Sequence, residues 1–171
     1  MRKCEASELS RILRFYRHVA EDTEDMSEYG RWIYGLHPTD EAISEYLSRG
    51  EIYCLEENGE MTAAVAVVCS QGEDYHGVNW QLELADDMVA TIHLLAVDPD
   101  LRKRGLAARL MRDAMEYARA AGKRAVRLDA LACNLPAHRL YRSLGFEQVD
   151  VRNWYACNTG AIDFYLFEYL L

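Results

Sequence analysis

Three consecutive stretches between residues 90 and 131 constrain the fold most: "ATIHLLAV", "GLAARLMRDAMEYARAAG" and "AVRLDAL". The first is dense enough in apolar residues to predict a strand central in a sheet, and the third reads as another strand. The second carries Ala107, Leu110, Met111, Ala114, Ala118 and Ala121 on one helical face. Asp98-Pro99 ends the first strand, and Gly122 closes the helix as the residue after its last turn. A strand–helix–strand unit of this size predicts two parallel strands joined by a right-handed crossover.

The flanking segments extend this pattern. Leu9, Ile12, Leu13, Tyr16 and Val19 have helical spacing within Glu8 to Ala20. "HPTDEAISEYLSRGE" predicts a second helix, with Thr39 as N-cap, Ala42, Ile43, Tyr46 and Leu47 as its stripe, and Gly50 as its stop. Asn58-Gly59 lies between two apolar runs and predicts a β-hairpin. Residues 71–90 are polar and irregular, with Trp80, Glu83, Asp86 and Asp87, and predict a loop. Asn134 caps a helix with Pro136 in its first turn, Ala137, Leu140, Tyr141 and Leu144 inside, and Gly145 at its end. "FEQVDVRNWYA" and "IDFYLFEYLL" predict two closing strands, and Arg2–Cys4 a short opening one. A single α/β (α+β) domain over residues 1–171 is expected, since no repeat or linker interrupts the chain.

Charge narrows the function. The chain carries a net charge of −9. Residues 1–100 hold a net −14, residues 101–127 a net +7 and residues 128–171 a net −2. The overall balance argues against nucleic-acid binding, while the basic island suits a small polyanion. No apolar run approaches a membrane span, and "MRKCEASELSRIL" has no secretory h-region, so a cytoplasmic protein is expected. Cys4, Cys54, Cys69, Cys133 and Cys157 are scattered, with no CxxC. They predict buried free thiols rather than a metal site or a disulfide framework.

The island begins with "RKRGLA", Arg102 to Ala107, between a strand and a helix. A helix start offers unpaired N–H groups and a positive dipole end to an anion. Gly105 lets the backbone approach closely, and the small Ala107 and Ala108 keep the space open. Arg102, Lys103 and Arg104 add charge. Neither GxxxxGK[ST] nor GxGxxG is present, so a Walker loop and a dinucleotide fingerprint are both excluded.

"RKRGLA" fits [QR]-x-x-G-x-[GA], and Asn134, Ala137, Leu140, Tyr141, Gly145 and Phe146 fit N-x-x-A-x-x-L-Y-x-x-x-G-F. On these two motifs, in this order and over about a third of the chain, the sequence resembles the GNAT superfamily, the Gcn5-related N-acetyltransferases. The resemblance implies a mixed central sheet of six to seven strands flanked by about four helices. It implies acetyl-CoA as co-substrate, with no metal. Backbone N–H groups around Arg104, Gly105, Leu106, Ala107 and Ala108 would hold its pyrophosphate, with Arg102 at the Gln/Arg position beside Lys103. Leu95, Ala96 and Val97 would pair their backbone with the pantetheine arm. Asn134, Ala137 and Arg142 would lie near the cofactor, with Arg142 able to meet a phosphate. Tyr141 matches the tyrosine often assigned as general acid.

Transfer to an amine needs a neutral nucleophile, an oxyanion donor and a proton for the departing thiolate. A backbone N–H near Leu95 or Ala96 suits the oxyanion. The candidate base is His93, expected from strand alternation to share a face with Leu95. Some family members carry histidines on this strand, and the companion position here is Thr91. Glu83 is a second candidate, and a water chain a third. A covalent route through Cys133 is disfavoured, with His138 expected to face solvent. The acceptor is expected to be a small-molecule or peptide amine, handled by a monomer or homodimer with no nucleic-acid or membrane partner. A non-catalytic acyl-CoA-binding module is the alternative to an enzyme.

Overall fold

A computed structural model describes residues 1–171. The chain runs β1 (Arg2–Lys3), α1 (Leu9–Asp22), α2 (Asp40–Ser48), β2 (Ile52–Glu57), β3 (Glu60–Val68), β4 (Val89–Val97), α3 (Leu106–Ala120), β5 (Ala125–Leu131), α4 (Leu135–Ser143), β6 (Glu147–Ala156) and β7 (Gly160–Leu170). The strands form one seven-stranded sheet in the order β1-β2-β3-β4-β5-β7-β6. Only β4 and β5 pair in parallel, as the strand–helix–strand pattern requires; every other pairing is antiparallel.

Local chemistry accounts for most element ends. Asn58 and Gly59 both have positive φ (52° and 82°), the conformation of the tight hairpin turn joining β2 and β3. The Thr39 hydroxyl accepts from the Ala42 N–H and starts α2. The Asn134 side chain does the same for α4, accepting from the Ala137 N–H at 3.3 Å. Gly122 adopts φ 76° just after α3.

Helices cover both faces of the sheet. On one face α3 buries Leu110, Met111 and Ala114 against Val65, Ile92 and Leu128, and α4 adds Tyr141. On the other, Ile12, Phe15 and Tyr16 of α1 and Ile43 and Leu47 of α2 pack on Ile52, Cys54 and Ala64. The 71–88 segment contains two short 3₁₀ turns and forms a third cluster, in which Tyr75 and Val78 pack with Leu166, Trp80 and Trp154.

Two features of β4 make room for a site. It pairs with β5 only over Val89–Thr91 opposite Ala125–Arg127. Beyond Thr91 the two strands part, and the β4 edge facing β5 is unpaired. The register against β3 also slips: Ala66 pairs with His93, whereas Ala64 pairs with Ala96. β4 therefore holds one extra residue, a β-bulge with Leu94 at φ 52°. The buried Tyr16 hydroxyl donates to the Leu94 carbonyl at 3.0 Å and holds this conformation from α1.

The bulge corrects one expectation. His93 and Leu95 do not share a face: Leu95 and Val97 join the α3 side, whereas Leu94 and Ala96 join the α1 side. An extra residue inverts the alternation on which the expectation rested.

Candidate active site

The parting of β4 and β5 opens a cleft of about 810 Å³. One end of it is the "RKRGLA" loop. Gly105 is the N-cap residue of α3 at φ 76°, and no side chain caps the helix. The first N–H groups of α3 are thus free of side-chain acceptors. A Cβ at Gly105 would meet nothing within 4 Å, so its backbone stands open to a ligand, although a side chain there would strain the backbone. Lys103, Gly105, Leu106, Ala107 and Ala108 all line the cleft.

Arg102 and Arg104 are deployed separately. Arg102 lines the cleft and grips Asp25, on the segment after α1, with N···O distances of 2.6 and 3.2 Å. This bond holds the Asp25 carboxyl below its ordinary range. The Arg104 side chain donates to Glu57 at 3.1 Å. Arg142 does not line the cleft: its guanidinium donates to Gln148 at 2.8 Å and lies 5.9 Å from the Phe167 ring centre. Asn134 and Ala137 do line the cleft.

Leu95, Ala96 and Val97 also line the cleft and present the unpaired β4 edge. Tyr141 reaches the cleft from α4 with its ring packed on Phe146 and Phe167. Burial, with a smaller contribution from the charge of Asp129, pushes its phenol well above the ordinary value. The hydroxyl therefore keeps its proton at neutral pH.

His93 lies between Tyr46 of α2 and Tyr75, stacked at centroid distances of 5.8 and 6.4 Å. Its Nε2 is 3.1 Å from the Thr91 hydroxyl, which donates its single proton to the Ser70 carbonyl at 3.0 Å. Toward His93 that hydroxyl can only accept. Nε2 carries the hydrogen, and Nδ1 is the free base. Burial pushes the imidazole below its ordinary value, and the Asp129 charge raises it partly back.

Other expectations are corrected. Glu83 is exposed in the 71–88 segment and does not reach the cleft. His138 is buried, not solvent-facing: it stacks on Tyr165 at 4.9 Å and donates from Nε2 to the Leu131 carbonyl at 3.0 Å. The Cys133 thiol faces the Tyr29 carbonyl at 3.5 Å, so no Cys–His pair exists. Only Cys4 and Cys54 are fully buried, and Cys157 is exposed.

Asp129 was missed by the sequence reading. It lies on β5 and lines the cleft, and its Oδ1 accepts the Tyr75 hydroxyl at 2.7 Å. A signal was present in "AVRLDAL", where Arg127 and Asp129 put two charges on one face of an otherwise apolar strand.

The buried imidazoles carry a stability prediction. Burial lowers both His93 and His138, so below about pH 6.5 the unfolded chain binds more protons than the folded one. Folding stability is expected to fall as pH drops through that value. Thermal unfolding followed from about pH 7.5 to 5.5 checks this, and a constant melting temperature would refute it.

Residues 9–146 match the acetyltransferase (GNAT) family. With the split β4–β5 pair and the uncapped, glycine-led helix already described, the chain belongs to that family. An uncharacterised N-acetyltransferase of Methanocaldococcus jannaschii is 36% identical over 103 residues, which are 60% of this chain and 42% of that protein. The [ribosomal protein bS18]-alanine N-acetyltransferase of Salmonella typhimurium is 33% identical over 106 residues, 55% of this chain and 70% of the relative. The chain thus spans less than half the length of the archaeal relative. Among solved structures, yncA of Salmonella typhimurium with its cofactor acetyl-CoA superposes with a TM-score of 0.71. It is 18% identical, and the match covers 99% of this chain and 92% of that one. No helix is long and apolar enough to cross a membrane.

Proposed function

We propose that this protein transfers the acetyl group of acetyl-CoA to a primary amine by direct attack in a ternary complex, and that a peptide amino terminus is the acceptor class. One observation carries the reading: a single cleft joins an uncapped helix start, an unpaired strand edge, a tyrosine hydroxyl, an aspartate and a histidine. The residues fit acetyl-CoA. The α3 N–H groups after Gly105 would take the pyrophosphate, with Arg102 and Lys103 adding charge, and the β4 edge would take the pantetheine amides. Bound there, acetyl-CoA supplies an activated thioester.

The remaining work falls to side chains of this chain. Asp129 attracts and orients the incoming ammonium. His93, held neutral by its surroundings, takes up the amine proton at Nδ1, and the Asp129 charge steadies the imidazolium. A backbone N–H near Leu95 or Ala96 faces the carbonyl oxygen as charge develops. The amine nitrogen bonds the acetyl carbon as the carbon–sulfur bond breaks; Tyr141 gives its Oη proton to the departing sulfur and is restored by the second proton that the nitrogen loses as the amide forms. An α-amine, with pKa about 7.7–8.0, demands less of the base than a lysine at about 10.4. The action of bS18-alanine relatives on an alanine of a ribosomal protein supports the same acceptor class.

Titration calorimetry with acetyl-CoA, and with ATP and NAD as controls, tests the cofactor. Micromolar binding to acetyl-CoA alone is expected, and its absence would sink the reading. Thiol release with short peptides and free lysine then tests the acceptor, with peptides expected to turn over faster.

A further inference from the structure

The 71–88 segment is irregular, yet it is fastened to the sheet. Arg127 of β5 is 1% exposed and ties the segment to β7 through three partners. Its guanidinium donates to Glu168 of β7 at 2.8 Å, to the Gln71 side chain at 2.6 Å and to the Leu82 carbonyl at 2.6 Å. It also lies 4.3 Å from the Trp80 ring centre. Glu168 receives the Gln81 N–H at 2.8 Å, and the Trp80 indole donates to the Tyr75 carbonyl at 3.0 Å. Tyr75 is itself 4% exposed, stacked on Trp154 at 6.3 Å and edge-on to Trp80 at 5.5 Å.

The outcome of this fastening is one short bond. The Tyr75 hydroxyl reaches Asp129, two residues after Arg127 on the same face of β5, at 2.7 Å. One strand therefore both anchors the segment and receives its hydroxyl. We propose that Tyr75 is a positioning residue for amine transfer. By donating to Oδ1 it fixes the rotamer of Asp129, leaving Oδ2 as the oxygen for the acceptor amine. Burial keeps the phenol protonated, so it serves only as a donor here. The 71–88 segment then belongs to the acceptor half of the site rather than to a variable surface loop.

This inference rests on the role given to Asp129 above, and a double-mutant cycle separates the two. Tyr75→Phe keeps the aromatic stack and removes only the hydroxyl. With a peptide acceptor it is expected to lower kcat/KM for the amine between about 10- and 100-fold. KM for acetyl-CoA and the melting temperature should stay at wild-type values. Asp129→Asn should lower the same parameter at least as far. Combining the two should cost no more than Asp129→Asn alone, because Tyr75 acts only through that carboxylate. Losses that multiply, or a Tyr75→Phe enzyme with wild-type kcat/KM, would overturn the positioning role. An Asp129→Asn enzyme with wild-type kcat/KM would instead remove Asp129 from the mechanism and the positioning role with it.

Discussion

Replacing Tyr141 with phenylalanine is expected to leave acetyl-CoA affinity unchanged and to lower kcat by about 10²- to 10⁴-fold. The ring is 7% exposed and packs on Phe146 and Phe167, so phenylalanine fills the same space. Most groups proposed to hold the cofactor lie on other elements: the start of α3, the β4 edge and the loop before α3. Only the hydroxyl is lost. That hydroxyl carries its proton at neutral pH, because burial and the Asp129 charge both raise its pKa. Without it the departing thiolate must find a proton elsewhere. Calorimetry and steady-state kinetics on the same preparation separate binding from turnover. Normal binding with lost turnover assigns Tyr141 to the chemistry. Wild-type kcat would reduce it to a core aromatic and remove the proton donor from the scheme.

The largest stability effect is expected at Arg127. Arg127→Met leaves the Glu168 carboxylate fully buried, with the Gln81 N–H still bonded to it but the opposing charge gone. Breaking one side of a buried ion pair costs about 3–5 kcal/mol. For a chain of this size that corresponds to a melting temperature lower by roughly 6–20 °C. Burial already works against the charge on Arg127, and the Glu168 partner opposes that effect. Two apolar residues in place of the pair should therefore recover much of the loss. Arg127→Met with Glu168→Leu is the test, read by thermal unfolding and by the fluorescence of Trp80, which stacks on the guanidinium. A single variant that melts with the wild type would show that the pair contributes nothing to holding the segment.

These two residues differ in how visible they were beforehand. Tyr141 stands in a motif whose spacing, seven residues after Asn134, places it two helical turns away on the same face. Arg127 stands in a strand whose Arg and Asp break an apolar run, a signal that says "buried charge" without naming a partner. Glu168 is 41 residues further on, and Gln71 is 56 residues earlier. Arg104 and Arg142 show the same limit. Their side-chain partners, Glu57 and Gln148, are likewise not named by the sequence. His138 reads as an exposed residue of α4 and is instead stacked on Tyr165 of β7.

What the sequence determined by itself was everything set by contacts a few residues apart. Asn58-Gly59 dictates a hairpin, because both residues tolerate positive φ. Asn134 starts α4 through a bond three residues along the chain. Gly105 makes an open helix start, because no side chain stands there. Apolar spacing placed the helices and strands and, through the crossover rule, the parallel β4–β5 pair. Only the tertiary structure decided where that pair parts, that Leu94 bulges and inverts the alternation after His93, and that Tyr16 holds the bulge from α1. It alone brought Tyr75 to Asp129 across 54 residues. The physical reason is range. A turn or a cap is settled by the bonds its own residues can form, whereas a buried polar group takes whichever partner the packed chain delivers to it.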